Sequence, residues 1–135
     1  MKIKKTVFIV AIVAFLTFLG AFLYPKVFVK GMVLPQVIDL KTIKLTDKPT
    51  FNFEIKNEGK NTIEVARIYT SCGCTTVLEP TGSFEINTNN SKVVNIQFDP
   101  SSMHKSGDDV YHEIYVLTTN PSEKEYLVKM KGKIL

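Results

Sequence analysis

Cysteine is almost absent from this chain. Cys72 and Cys74 are the only two in 135 residues, and Gly73 alone separates them. A pair so close cannot tie distant parts together, so no disulfide framework holds the fold. Two thiols also fall short of a structural zinc site, which takes four ligands. Glycine is sparse at 7 residues, and the sequence holds no phosphate-binding glycine loop and no dinucleotide fingerprint. Ser71, His104 and Asp99 are triad residue types, but no nucleophile-elbow glycines surround the serine. Asp108 and Asp109 beside Gly107 lack the further spaced oxygen ligands of a calcium loop. There is no internal repeat, and no helical period outside the first segment.

An excess of one charge is missing too, once the N-terminus is set apart. Residues 6–24, "TVFIVAIVAFLTFLGAFLY", carry no charge and are almost wholly apolar. As a helix they would measure roughly 28 Å, near the hydrocarbon thickness of a bilayer. The run is longer than the core of a cleaved secretory signal, and bulky Phe22, Leu23 and Tyr24 follow the small pair Gly20-Ala21. We therefore read an uncleaved single-pass anchor; cleavage would instead give a secreted domain. Lys2, Lys4 and Lys5 stay in the cytoplasm by the positive-inside rule. The rest then faces the periplasmic or extracellular side of the inner membrane. With those three lysines set aside, 14 of the 17 basic residues face 13 acidic ones. That balance gives no case for nucleic acid binding.

What the remaining sequence does contain is strand pattern. "TFNFEIKN" (50–57) alternates Phe51, Phe53 and Ile55 with polar residues. In "TIEVARIYT" (62–70) the apolar phase shifts from Ile63 and Val65 to Ala66 and Ile68, as at a bulge or a strand covered on both faces. "SKVVNIQFD" (91–99), "DVYHEIYVLTT" (109–119) and "EYLVKMKGKIL" (125–135) continue the pattern, the middle one apolar on both phases in its second half. "VIDLKTIKL" (37–45) reads as a first strand interrupted near Lys41. Polar turns separate these segments. Six to eight short strands in about 100 residues indicate an antiparallel β-sandwich with a core rich in Phe and Tyr. The expected layout is a cytoplasmic tip at 1–5, an anchor at 6–24, a linker at 25–36 and the sandwich at 37–135.

The order of motifs is specific. A Phe-rich strand ends in Asn57 and Gly59. It leads to "TSCGCTT", then "VVNIQFDP", then "EIYVLTTNP", then a last strand containing Gly132. This resembles the bacterial domain-of-unknown-function family 1573 over roughly residues 37–135. The resemblance implies an immunoglobulin-like sandwich, typically secreted or membrane-attached, with Ser71, Cys72, Gly73, Cys74 and Thr75 as its hallmark. Two positions depart from the family pattern. Val77 stands where proline usually follows the hallmark, and "NTNNS" replaces a Pro-Gly turn; asparagine suits a turn as well. The resemblance implies no settled activity.

Three uses of Cys72 and Cys74 stay open. In an oxidising compartment pairing is the default, but closing a three-residue loop stabilises by only about 1.6 kcal/mol before strain. Residues two apart in an ideal strand lie near the limit of disulfide reach, and Gly73 would have to relax the backbone. A passive pair that fixes a bend is therefore one reading. Thiol–disulfide exchange is the second, although neither a cation nor a histidine adjoins the pair in sequence, Arg67 lying five residues away. A soft-metal site is the third: two thiolates could hold Cu(I), with Met103, His104 and His112 as further candidates that nothing in the sequence places nearby. His112 lies in a strand, where a lone histidine is usually a surface or packing residue. We expect a non-enzymatic interaction or scaffold domain of the cell envelope, without cofactor. Its expected contacts are the bilayer, through the anchor, and an envelope protein, at sheet edges or end loops. The alternative is redox or copper chemistry at Cys72 and Cys74.

Overall fold

A computed structural model describes residues 31–135. The anchor expected at 6–24 and its cytoplasmic tip lie outside the described residues. Nine strands follow in order: β1 (Met32–Val33), β2 (Val37–Ile43), β3 (Thr50–Asn57), β4 (Ile63–Thr70), β5 (Thr75–Glu79), β6 (Phe84–Ile86), β7 (Ser91–Phe98), β8 (Asp109–Asn120) and β9 (Lys124–Ile134). One short 3₁₀ turn, Pro100–Ser102, lies between β7 and β8. The strands form a four-stranded sheet, β1-β3-β7-β5, and a five-stranded sheet, β2-β9-β8-β4-β6. The expected all-β, two-sheet architecture is present.

Alternation decides what each sheet buries. On β8 the even-numbered Val110, Ile114, Val116 and Thr118 are buried, and the odd-numbered residues face outward. Phe53, Ile55, Val94, Ile96 and Phe98 meet them from the four-stranded sheet. Isoleucine and valine dominate this core, as suits side chains standing on a pleated surface. Among the described tyrosines only Tyr126 packs against it: Tyr69 and Tyr115 stack at 5.0 Å on the outer face of the five-stranded sheet, and Tyr111 is 76% exposed. The second half of β8 looks apolar on both phases because outward Tyr115 and Leu117 alternate with the core residues.

The phase shift in β4 is a bulge. Val65 pairs with Thr118 and Arg67 with Leu117, which leaves Ala66 as the extra residue. The interruption in β2 is also real. Lys41 has φ 57°, and the register with β9 shifts between Asp39 and Thr42. Asp39 Oδ1 accepts from the Lys41 backbone N–H at 2.9 Å, which holds the kink.

The sandwich is not wholly antiparallel. The chain pairs with β3 at Met32–Val33, passes Pro35, and then runs parallel to β9 as β2. One extended segment thus closes an edge of each sheet, and pairing begins inside the stretch read as a linker. The sequence pattern also gave no separate account of the short strands β5 and β6.

Gly132 makes the parallel edge possible, because a Cβ there would lie 2.9 Å from Leu40 Cβ and 3.2 Å from the Lys41 carbonyl oxygen. Asn57 ties the two sheets together. It is fully buried, and its Nδ2 donates to the carbonyls of Ile86 and Asn61, each at 2.8 Å. Its Oδ1 accepts from the Gly59 N–H at 2.9 Å, which forms the turn after β3. Three buried or part-buried hydrogen bonds therefore hang on one side chain. Asn57→Ala should destabilise the domain by about 2–4 kcal/mol through the unpaired groups it leaves, as read by urea unfolding. A change below about 0.5 kcal/mol would contradict this role.

Candidate functional site: a sulfur and imidazole cluster

Within "TSCGCTT", residues 71–74 are a turn between sheets, and Thr70, Thr75 and Thr76 belong to the strands on either side. β4 ends at Thr70 in the five-stranded sheet, and β5 begins at Thr75 in the four-stranded one. The chain crosses the sandwich over residues 71–74. The Thr70 hydroxyl, shared between two carbonyls, donates to Cys72 O at 3.0 Å and Thr75 O at 2.9 Å. The Thr75 N–H donates to Cys72 O at 3.1 Å, closing the turn. Ser71 is fastened to β8 twice. Its N–H donates to Glu113 O, and its Oγ accepts from the Glu113 N–H, both at 2.9 Å.

This turn brings the two cysteine Cα atoms to 5.2 Å, within ordinary disulfide reach, and a disulfide joins Cys72 to Cys74. The two cysteines thus lie in a turn and not in the ideal strand geometry that would hold them near the limit of disulfide reach. An added Cβ at Gly73 would meet nothing within 4 Å, so the turn does not depend on the glycine for space. Both sulfurs are sheltered: Cys72 is 7% exposed and Cys74 1%.

The opposite wall comes from the "FDP" segment. The Asp99 N–H donates to Cys74 O at 2.7 Å, locking the end of β7 to the turn. Asp99 Oδ1 then accepts from the Ser101 N–H at 3.1 Å and the Ser101 hydroxyl at 2.6 Å, capping the 3₁₀ turn. Lys48 Nζ lies 2.7 Å from Asp99 Oδ2. With the turn fixed, Met103 Sδ falls 3.5 Å from Cys72 Sγ. The next residue, His104, is edge-on to Phe98 at 5.7 Å between ring centroids.

β8 supplies the last member. His112 shares the inward phase of Val110 and Ile114 at the end of the core. Its Nε2 lies 3.4 Å from Cys74 Sγ and 2.9 Å from His104 Nε2. Burial, and then the neighbouring His104, push His112 below the ordinary imidazole range, so the neutral ring with a nitrogen lone pair is favoured. His104 Nδ1 lies 3.8 Å from Asp108 Oδ2. A proton on that nitrogen leaves His104 Nε2 as an acceptor for His112. The ligand atoms of Cys72, Cys74 and His112 all lie within 4.8 Å of one another.

All the candidates named from sequence therefore converge: Cys72, Cys74, Met103, His104 and His112. Thr75 Oγ1 stands 3.8 Å from Cys74 Sγ. Arg67, the only cation near the pair in sequence, is not part of the site; its guanidinium lies 4.9 Å from the Tyr69 ring centre on the outer face. Reading His112 as isolated missed a signal carried by register. Thr70 pairs with Ile114, so an antiparallel continuation puts position 72 opposite 112. A surface cleft of about 450 Å³ touches the cluster at His112 and is otherwise lined by Val37, Ser71, Tyr111, Glu113, Lys129, Met130 and Lys131.

The family described as protein of unknown function (DUF1573) matches residues 33–134. No curated protein matches the chain. Among solved structures, a protein of unknown function from Porphyromonas gingivalis W83 is similar with a TM-score of 0.63 and 18% identity, over 82% of this chain and 51% of that one. The Pseudomonas aeruginosa CupB2 chaperone is similar with a TM-score of 0.55 and 8% identity, over 70% of this chain and 52% of that one. PapD-like domain 7 of human CEP192 gives a TM-score of 0.55 at 10% identity, over 77% of this chain and 84% of that domain. The chain thus spans about half the length of the two bacterial proteins. At these identities the likeness shows a shared fold.

The turn makes its own prediction. Thr70→Val keeps the shape of the side chain but removes the hydroxyl that serves two carbonyls. It should lower stability by about 1–2 kcal/mol in thermal or urea unfolding with the disulfide intact. An unchanged midpoint would show that the turn does not depend on Thr70.

Proposed function

The chain belongs to the DUF1573 family of proteins of unknown function, and from that premise we propose a membrane-anchored extracytoplasmic domain that binds another envelope protein and is not an enzyme. The observation that carries this reading is the outer face of the five-stranded sheet. Tyr111 is 76% exposed, Val37 47% and Leu127 41%, on β8, β2 and β9. Tyr111 and Val37 line the cleft beside Lys129 and Lys131. Exposed aromatic and aliphatic side chains beside charged groups are the makings of an interface centre and rim. Lys131 is paired with Asp39 at 3.5 Å and Glu113 lies opposite Lys129, so the charges of this face are largely matched within the chain, and the partner suited to it presents an apolar side chain with a polar rim.

The face serves better than the edges. β1 and β6 have only 2 and 3 residues, and the outer strands β2 and β5 both carry register shifts. Edges so blunted resist strand addition. The likeness to a chaperone fold is in keeping with protein binding, and the apolar run at 6–24 behind Lys2, Lys4 and Lys5 supports the anchor and its orientation.

Site-specific photo-crosslinking in intact cells tests this reading. A photoreactive residue at Tyr111 or Val37 should give one discrete adduct, and Lys129→Glu should weaken it several-fold. The same residue at Val93, 50% exposed on the other sheet, serves as control. Equal adducts at Val93 and Tyr111, or none at Tyr111 and Val37, would contradict the proposed face.

A second reading rests on the contact between His112 Nε2 and Cys74 Sγ at 3.4 Å. In it, a thiolate of a partner dithiol attacks Cys72 Sγ, and the Cys72–Cys74 bond breaks. Cys74 leaves as a thiolate beside His112, whose ring N–H stabilises it. The partner's second thiol then releases Cys72, and the partner departs as a disulfide. The domain has gained two electrons and two protons.

A further inference from the structure

We propose that the reduced form of this cluster is a binding site for one Cu(I) ion, held by Cys72 and Cys74 with Met103 and one imidazole of the His104–His112 pair completing a four-donor set. The inference rests on the second reading above only in requiring that the disulfide open. The electron balance is simple. A dithiol reductant delivers two electrons and two protons to the disulfide and leaves oxidised. Binding then releases the two thiol protons to solvent, and copper remains Cu(I).

Donor chemistry selects the ion. Thiolate and thioether sulfur favour Cu(I), and imidazole suits copper as well. The position of Met103 bears most directly on this choice. It is 67% exposed, yet its sulfur lies 3.5 Å from Cys72 Sγ rather than turning away. A thioether has no place among the usual zinc ligands. The imidazoles fit the same purpose, since Cys72, Cys74 and His112 already bring their ligand atoms within 4.8 Å of one another. His104 Nε2 stands 2.9 Å from His112 Nε2, and the ring that takes the metal through Nε2 keeps its proton on Nδ1. Asp108, 3.8 Å from His104 Nδ1, would orient that ring from behind, as outer carboxylates do for metal-bound histidines.

The surroundings also suit a soft ion that must be kept from water. Phe98 is fully buried, with its ring centroid 5.7 Å from that of His104 and 6.1 Å from that of His112. The cleft lined by Ser71 and His112 supplies a way in. The disulfide then acts as a gate, because Cys72 and Cys74 are available as thiolates only when it is open.

The test uses the full chain in detergent, reduced with a phosphine under anaerobic conditions. Thiols are counted first, and Cu(I) is then titrated against a chromophoric chelator, with X-ray absorption at the copper edge. The proposal expects one Cu(I) per chain with both sulfur and nitrogen neighbours, and none retained by the oxidised protein. Met103→Leu and the paired variant His104→Gln, His112→Gln should each weaken binding by about 10-fold or more. Thermal unfolding of each oxidised variant verifies its fold, and the oxidised wild type is a control that needs no substitution.

The failures are distinguishable. If no thiols appear, the exchange reading and the copper site fall together. If two thiols appear but the chelator keeps the copper, only the copper site falls. Sulfur-only coordination, indifferent to the histidine and methionine variants, would overturn the site as a cluster. Zn(II) displacing bound Cu(I) would overturn the choice of ion.

Discussion

The chain must pass from one sheet to the other in the four residues 71–74, and the rest of the site depends on that crossing. A turn this tight exposes backbone groups inside the sandwich, where an unpaired carbonyl is costly. Thr70 meets two of those carbonyls with one hydroxyl, and Asp99 meets a third through its N–H. Cys72 and Cys74 are thereby folded against each other at the rim of the core. The opening puzzle of adjacent cysteines has a geometric answer: they occupy a crossing between layers, where neighbours in sequence become neighbours across a turn.

The crossing also explains why residues far apart in the chain meet there. Asp99 is bound to the turn through its backbone and shapes the 3₁₀ turn through its carboxylate, so the loop that follows is aimed at the cysteines. Met103 and His104 arrive from that loop, and His112 arrives from the central strand β8 in the phase of the core. Three separate pieces of chain thus deliver sulfur and imidazole to one place.

Much of the fold was legible in the sequence because period two is a strong signal. Phe51, Phe53 and Ile55 marked β3, and the shift at Ala66 and the break at Lys41 were both visible as irregularities. Short strands escaped: β5 and β6 are too brief to show a period, and β1 hides between Pro25 and Pro35. The tyrosines misled, because an aromatic count says nothing about which face a residue takes. The site was legible as a list but not as a place. Residue type alone named Cys72, Cys74, Met103, His104 and His112. Their convergence depends on strand register and on a capped turn at Asp99, neither of which local pattern encodes. A bend at Cys72 and Cys74 was one reading of the sequence, but the change of sheet between β4 and β5 that makes it is a tertiary fact.

The convergence itself is the central claim, and through-space NMR contacts in the oxidised full chain measure it most directly. The account predicts nuclear Overhauser contacts from the Met103 methyl group to the Cys72 β protons, and between the ring protons of His104 and His112. It also predicts nitrogen shifts that place the His104 proton on Nδ1, toward Asp108. A Met103 methyl group that contacts only solvent-facing neighbours, with His104 and His112 out of range of each other, would contradict it.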